Sequence, residues 1–231
     1  MSHLNILSGG AAHSLIASLA PTFKAKTGFE IKGEFGAVGG MAEKLRSGVA
    51  TDIIILTSAL VAKLVEEKLV VSSSIKDVGL VETALAVRSG GPRVYAQNAD
   101  ALRAAFLAAD AIFVPDTKAS TAGIHVAKVL AQLGITDEVI ARLKIYPNGA
   151  TAMRELAAST AKHPIGCTQS TEIISTSGVE LCGALPKGCE LATMYTAGTT
   201  TSAAHEREAQ ALINLLTSAE ARDARALAGF L

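Results

Sequence analysis

Short apolar segments alternate along the chain with longer segments in which apolar residues recur every three or four positions. The short segments predict β-strands and the longer ones predict amphipathic helices. The strands predicted in the first half are Leu4–Leu7, Glu30–Phe35, Asp52–Leu56, Thr83–Val87 and Ala111–Val114. The helices predicted between them are Leu15–Lys26, Met41–Ser47, Leu60–Glu67 and Ala99–Ala108. Regular alternation of strand and helix is typical of an α/β fold with mainly parallel strands.

The second half of the chain continues the pattern with more helix. The predicted helices are Gly123–Leu133, Glu138–Leu143, Ala150–Ala161, Ala203–Leu216 and Ala219–Ala228. The predicted strands are Ile165–Thr168 and a pair around Glu180–Leu181 and Glu190–Tyr195. A chain of 231 residues is long enough for one large domain or two small ones.

No Pro- or Ser-rich linker and no internal repeat divides the chain, so two lobes would have to be joined by strands. The extended apolar stretches "GLVETALAV" and "CELATMYTAG" are the natural crossovers, since no helix follows either one directly. We therefore predict one lobe of residues 1–82 plus 199–231 and a second lobe of residues 83–198. Ligands of such sheets bind beyond the carboxyl ends of the strands, which predicts a site in the cleft between the lobes.

Four strand-to-helix turns could meet at that cleft. They lie in "SGGAAHS" from Ser8, "FGAVGGMAEKL" from Phe35, "PDTKASTAGIHVAKVL" from Pro115 and "YPNGATAMREL" from Tyr146. Each turn leads into a helix N-terminus, where free backbone N–H groups and the helix dipole favour an anion. One such turn is ordinary in an α/β protein, but four of the same kind indicate an anion site.

Composition and charge exclude several other functions. Lys and Arg number 21, as do Asp and Glu, and the chain has no Trp, so neither a basic patch nor a stacking platform for nucleic acid is expected. The sequence lacks G-x-G-x-x-G, the P-loop motif and any metal-ligand spacing, so we predict no nucleotide, cofactor or metal. No apolar run approaches the 18 residues or so that a membrane helix needs.

The N-terminus and the cysteines bear on the cellular location. "MSHLNILSGG" has neither the basic segment nor the apolar core of a signal peptide, which favours a cytoplasmic protein; a periplasmic protein whose leader has been removed is the alternative. Cys182 and Cys189 could pair across a hairpin, but three cysteines in a chain without a signal favour free, buried thiols. We predict that Cys167 packs in the core.

Three stretches carry a resemblance to a known family. Residues 4–56, "STAGIHVAKVLAQLGI" and "HPIGCTQSTEI" are similar to the opening, a helix start and a P-x-G strand of the molybdate-binding proteins, in the type II periplasmic binding-protein superfamily. The resemblance covers nearly the whole chain. It implies two α/β lobes joined by two crossover strands that close around a small anion.

The same resemblance places five ligand positions. In the family, two serines, two helix-start amides and a tyrosine bind the oxyanion. Here Ala11 matches the first serine and the run Gly36–Gly40 the second, Ala122 and Thr151 match the two amide positions, and Gln169 matches the tyrosine. Gly10 and Ala37, in the first two turns, are further candidate ligand residues. Most of the family's hydroxyl donors are missing at these positions. An anion buried without donors carries a desolvation cost of several kcal/mol, so molybdate is not the ligand that this sequence favours.

Other polar residues near these turns suit carboxylates better. They are Ser8, His13, Thr57, Lys118, Ser120, Thr121 and Gln169. Lys118 can pair with a carboxylate, while Ser120 and Thr121 either cap their helix or contact the ligand. His13 is either a general base or a solvent-facing histidine in the first helical turn. Glu172 is a second candidate base or a local cap.

Two functions remain open at this point. The first is an isomerase of a small polycarboxylate, of the kind represented in this superfamily by aconitate isomerase, with His13 moving an allylic proton. The second is the solute receptor of a molybdate- or oxyanion-type ABC transporter, which would have to be exported. We expect a monomer with a small anionic ligand as its partner, and no membrane contact unless the protein is a transporter receptor.

Overall fold

The computed structural model describes residues 2–231 and divides the chain into two compact units. Unit 1 consists of Met1–Val81 and Thr193–Leu231, and unit 2 of Glu82–Ala192. The boundaries predicted from the sequence, after residues 82 and 198, lie one and six residues away from these. The chain passes between the units within two strands.

Unit 1 opens with a repeated strand–helix pattern. Its first elements are β1 (His3–Gly9), α1 (His13–Thr27), β2 (Glu30–Gly36), α2 (Val38–Arg46), β3 (Ile53–Thr57) and α3 (Ser58–Glu66). β1 pairs in parallel with both β2 and β3. α1 ends at Thr27 and is capped by Gly28, whose φ of 77° allows the left-handed turn back toward β2. The predicted strands and helices of this region are confirmed. Each observed element begins and ends within three residues of its predicted bounds.

Unit 2 is entered through β4 (Lys76–Arg88), which crosses the boundary. The following elements are α4 (Ala99–Ala108), β5 (Ala111–Pro115), α5 (Thr121–Gln132), α6 (Thr136–Val139), β6 (Leu143–Tyr146), α7 (Gly149–Ala158), β7 (Pro164–Gln169), α8 (Ser170–Ile174) and β8 (Val179–Ala184). Its strand order is β4-β7-β5-β6, with β8 on β4. β5 runs parallel to β6 and β7, and β4 runs antiparallel to β7 and β8.

The chain returns to unit 1 through β9 (Ala192–Thr199) and ends in α9 (Glu206–Thr217) and α10 (Arg222–Leu227). β9 lies antiparallel to β3, which completes the unit 1 order β2-β1-β3-β9.

One prediction for unit 2 was wrong: Leu143 does not end a helix but begins strand β6. The predicted helix instead stops at Val139 and continues as a single 3₁₀ turn.

The two faces of the unit 2 sheet carry separate apolar cores. One face, which we call the α5 face, packs Leu85, Cys167 and Ile112 against Val126 and Val129 of α5. The other, the α7 face, packs Ala84 and Phe113 against Ala152, Met153 and Leu156 of α7. Successive strand residues alternate between the faces, so the position of a residue in β4 or β7 decides which helix it meets. The predicted α/β class, with sheets flanked by helices, is confirmed. The sheets are mixed: β3–β9, β4–β7 and β4–β8 are antiparallel, whereas β1–β2, β1–β3, β5–β6 and β5–β7 are parallel.

Candidate anion-binding site

The start of α5 sits directly on the end of β5. A Cβ atom at Gly123 would lie 2.1 Å from the carbonyl oxygen of Asp116 and 2.5 Å from that of Pro115, so only glycine permits this approach. The turn before α5 is held by Asp116, whose Oδ1 accepts hydrogen bonds from the amides of Lys118 at 2.7 Å and Ala119 at 2.9 Å. These two bonds lower the pKa of the Asp116 carboxyl.

The first turn of α5 presents the donors that the sequence predicts. Ser120 is the N-cap with an extended backbone, and among residues 2–231 its side chain makes no capping hydrogen bond. The amides of Thr121 and Ala122 are among the first N–H groups of the helix, which have no acceptor within it. Ala122 is fully buried, whereas the side chain of Lys118 is exposed and can swing toward a ligand.

A buried polar pair lies on the same face of the sheet as α5. Gln169 ends β7 and stands opposite Thr83 of β4 in the antiparallel register. The amide and carbonyl of Thr83 bond to Leu191 and Leu185, away from β7, so this is the non-hydrogen-bonded kind of pair, in which side chains approach most closely. Continuing the β5–β7 register places Gln169 level with Asp116, at the start of the turn into α5.

Both side chains of this pair are buried without a partner. Gln169 is 3% exposed and Thr83 is 1% exposed. Among residues 2–231, neither the Oε1 and Nε2 atoms of Gln169 nor the Oγ1 atom of Thr83 has a hydrogen-bond partner. Such groups are rare in folded proteins, because each costs free energy unless a water or ligand satisfies it.

The start of α7, on the opposite face, is arranged differently. Asn148 caps the helix, with its Oδ1 accepting the Thr151 amide at 2.9 Å. The Glu172 carboxyl accepts the Thr168 hydroxyl at 2.7 Å and also the amides of Gly149, Ala150 and Gln169. A Cβ atom at Gly149 would lie 1.8 Å from Glu172 Oε2, so glycine is required there. Glu172 thus fills the anion position of α7 from within the chain.

Burial is the largest influence on the pKa of Glu172. The residue is 6% exposed, and desolvation raises the pKa of its carboxyl, although the hydroxyl and amide donors oppose that rise. The interpretation of Glu172 as a local partner, rather than a base facing solvent, agrees with these contacts. The Thr151 amide, one of the predicted ligand donors, is engaged by Asn148, and its hydroxyl accepts from Arg154 at 2.9 Å.

In unit 1, the predicted residues gather where β1, β2 and β3 end. Ser8 is fully buried and its hydroxyl donates to the carbonyl of Gly9 at 2.9 Å. A Cβ atom at Gly9 would meet Val38 at 2.8 Å and Tyr195 at 2.9 Å, so both side chains border this turn. The remaining predicted residues of unit 1 begin helical segments: Gly10 and Ala11 in a 3₁₀ turn, Ala37 as the N-cap of α2 and Thr57 as the N-cap of α3.

His13 begins α1 and its side chain is exposed. Its ring meets the Phe35 ring edge to face, with 4.6 Å between the centroids. Ile16 and Ala17 of the same helix border the groove in which the two rings lie. Within residues 2–231 the imidazole therefore rests on an aromatic ring rather than on a carboxylate that would orient it as a base.

The structure thus brings Ser120, Thr121, Ala122 and Gln169 to one face of unit 2, and the strand ends of unit 1 gather Ser8, Ala11, Ala37 and Thr57. Sequence reasoning missed Thr83, because its significance depends on its register opposite Gln169.

All three cysteines are free; Cys167 and Cys189 are buried and Cys182 is half-buried. Residues 2–231 hold no group of three or more metal-ligating side chains, and within them each helix is too short or too polar to span a bilayer.

The chain belongs to the bacterial extracellular solute-binding protein family, whose model matches residues 4–231. It is 25% identical to an aconitate isomerase from Pseudomonas sp. over 232 residues, which covers 96% of this chain and 84% of the relative. The predicted membership in the periplasmic binding-protein superfamily is confirmed.

Solved structures are similar over nearly the whole chain. The periplasmic molybdate-binding protein of Azotobacter vinelandii aligns with a TM-score of 0.80 at 18% identity, covering 99% of this chain and 98% of its own. The sulfate-binding protein SubI of Mycobacterium tuberculosis aligns with a TM-score of 0.78 at 18% identity, over 100% of this chain and 86% of its own. PEB3 with L-phospholactate bound aligns with a TM-score of 0.71 at 18% identity, over 98% of each chain. At these identities the likeness shows the fold alone.

Proposed function

We propose that this chain binds a small organic anion that carries carboxylate groups. The observation that carries the proposal is the buried pair Thr83 and Gln169, whose three polar side-chain atoms have no partner among residues 2–231. A carboxylate would accept from the Gln169 amide nitrogen and the Thr83 hydroxyl, and a hydroxyl or carboxylic acid elsewhere on the ligand would donate to Gln169 Oε1. A hydroxy acid or polycarboxylate supplies both kinds of group.

The turn into α5 supplies the charge and the remaining donors. The amides of Thr121 and Ala122 belong to the first turn of a 12-residue helix, where the dipole favours a negative group. Lys118 adds a full positive charge on an exposed, flexible side chain. Together with Gln169, these residues give unit 2 a set of anion-binding groups on one face of its sheet.

A planar carboxylate suits this arrangement better than a tetrahedral oxyanion. The oxyanion of the molybdate-binding family needs donors from two later helix starts as well as hydroxyls in the first two turns. Here the Thr151 amide is bonded to Asn148, and Ala11 and Ala37 offer no hydroxyl. The similar proteins described above include a molybdate-binding protein, a sulfate-binding protein, an aconitate isomerase and PEB3 with L-phospholactate bound. Their ligands and substrate are anions, and this supports the proposal of anion binding in general.

A second candidate function is isomerisation of the bound polycarboxylate. The observation in its favour is the 25% identity to an aconitate isomerase along almost the entire chain. In this reaction a proton leaves the carbon next to one carboxylate and returns at the other end of the allylic system, and His13 is the imidazole that the sequence offers as the base.

A transport receptor is the alternative to an enzyme, and the two functions imply different cellular locations for the protein. As a receptor, the protein would be exported, deliver its anion to an ABC transporter and need no titratable group at the ligand. As an isomerase, we propose that it works in the cytoplasm as a monomer. Fractionation of the native cells and light scattering of the purified protein test these two points directly.

Binding is tested by thermal unfolding with a panel of anions: molybdate, tungstate, sulfate, and di- and tricarboxylates including both aconitate isomers. A ligand at one hundred times its Kd adds about 2.7 kcal/mol to the free energy of unfolding, which is a readable shift. Gln169→Leu should abolish the shift, whereas the exposed control Gln97→Leu should keep it. A shift with molybdate or tungstate alone would overturn the carboxylate proposal in favour of an oxyanion receptor.

Isomerisation is tested separately, by following the interconversion of cis- and trans-aconitate by NMR. The expected result is turnover by the wild type that His13→Ala loses, with His3→Ala as the control for an exposed histidine in the same unit. Binding without turnover would leave the binding proposal standing and remove the enzymatic one.

A further inference from the structure

A cavity of about 160 Å³ lies at the edge of unit 2 where β7 begins. Its apolar lining comes from the end of β4, the loop after it, the end of α4 and the start of β7. These lining residues are Val87, Pro92, Val94, Ala105, Ala108, Ala109, Pro164 and Ile165. An apolar cavity of about 150 Å³ is large enough to hold benzene, so this one accepts a single six-membered ring.

The rim of the cavity is positively charged. Gly91 and four basic residues, Arg88, Arg93, Lys162 and His163, complete the lining. None of the lining residues, all in the described part of the chain, is acidic. The Arg93 guanidinium donates to the carbonyl of Leu181 at 2.8 Å, and Arg88 donates to the carbonyl of Ser159. Carbonyl oxygens hold these guanidinium groups in position but leave their charge uncompensated.

Two nearby carboxylates must be counted. Asp110 accepts the amides of Lys162 at 2.7 Å and His163 at 3.0 Å, which fixes the segment that carries both side chains. Glu180 accepts the amide of Gly90 at 3.2 Å, in the loop that lines the cavity. These two negative charges offset two of the three positive charges of Arg88, Arg93 and Lys162, so one positive charge remains at the opening at neutral pH.

This cavity is separate from the site described above. It opens beside Pro164, whereas Gln169 stands at the other end of β7. Five residue steps at about 3.3 Å each put the two ends of the strand roughly 17 Å apart. A ligand small enough for this cavity therefore does not reach the Thr83–Gln169 pair.

We propose that this cavity is a second binding site, and that its ligand is a small aromatic carboxylate of the size of benzoate. The ring packs against Val94, Ala108 and Ile165, and the carboxylate faces Arg93 and Lys162. The apolar lining buries the ring of the ligand, and the cationic rim pairs with its carboxylate. Together they select a molecule that has one apolar end and one anionic end. The proposal does not rest on the function proposed for the other site.

The probe is benzoate, titrated into the ¹⁵N-labelled full chain. We expect saturable shifts of the amides of Val94, Ala108 and Ile165. Benzamide, which has the same shape without the charge, should bind at least tenfold more weakly. Benzoate that leaves these three amides unshifted up to 10 mM, or benzamide that binds equally well, would overturn the proposal.

Two variants locate the ligand. Ala108→Phe, at the exposed end of α4, places a ring in the cavity and should abolish the shifts; Arg93→Gln should weaken binding at least fivefold. Arg222→Gln, an exposed arginine of α10 in unit 1, is the matched control and should bind as the wild type does. Because Ala108 and Arg93 are surface positions, circular dichroism should show both variants folded, and wild-type affinity in both would count against the site.

Discussion

Thr83→Val removes one hydroxyl from the proposed ligand site and replaces it with a methyl group of the same size. Thr83 is 1% exposed, and among residues 2–231 its Oγ1 atom has no hydrogen-bond partner. Valine is also β-branched and suits an extended strand, so the change keeps the shape of the side chain. What changes is the presence of a polar atom in an apolar environment.

The expected effect has opposite signs in the free and bound protein. Burying an unpaired hydroxyl costs about 1–3 kcal/mol, so the ligand-free variant should be more stable than the wild type by about 1 kcal/mol or more. For a chain of 231 residues this raises Tm by about 2–4 °C. A hydrogen bond to a charged ligand contributes about 1.5–3 kcal/mol, so the variant should bind its anion at least tenfold more weakly.

Urea unfolding of the ligand-free proteins and calorimetric titration of the anion measure the two effects. Thr160→Val, an exposed threonine of unit 2, is the control and should change neither. A variant that is less stable without ligand and binds with wild-type affinity would refute the reasoning, because the hydroxyl would then have a structural partner.

Three further predictions follow from other contacts. Gly149→Ala places a Cβ atom 1.8 Å from Glu172 Oε2 and should destabilise the protein by about 3 kcal/mol in urea, whereas Gly40→Ala, with open space around its Cβ, should not destabilise it. Burial raises the pKa of Glu172 above 4.5, so the folded state holds the proton more tightly than the unfolded state does. The free energy of unfolding should therefore fall as the pH rises from 4.5 through the folded pKa. Glu172→Gln should lack this fall, and an equal dependence of the unfolding free energy on pH in both proteins would contradict the assignment. Burial raises the pKa of Cys167 to about 12, so Ellman's reagent should modify half-buried Cys182 quickly and Cys167 only on unfolding; rapid labelling of Cys167 in the native protein would be the contrary result.

The elements that could be predicted from the sequence are those with strong apolar periodicity. β1, β3 and β5 are apolar runs that end in glycine, threonine or proline, and the helices between them repeat apolar residues at helical spacing. β6 could not be predicted, because "LKIY" is four residues long and partly exposed at the edge of the unit 2 sheet. The first half of β4 was missed because Gly79, with φ of 155°, interrupts its pattern.

The candidate site was predictable only in part, since its chemistry depends on contacts between distant residues. The helix starts could be placed from local turn residues such as Ser120 and Asn148. The pairing of Thr83 with Gln169 required the strand register, and the contact of Glu172 with Gly149 required the packing of α7 against the end of β7. These tertiary contacts decide which helix start remains open to a ligand.

The contact between Glu172 and α7 also has a consequence for dynamics. Because the chain supplies its own carboxylate to the amides of Gly149 and Ala150, these amides are already bonded in the ligand-free protein. Their hydrogen exchange should be slow with or without ligand, whereas the amides of Thr121 and Ala122 should become protected only when an anion is bound. The start of α7 therefore needs no ligand to order it, so in unit 2 we expect the ordering on binding at the start of α5.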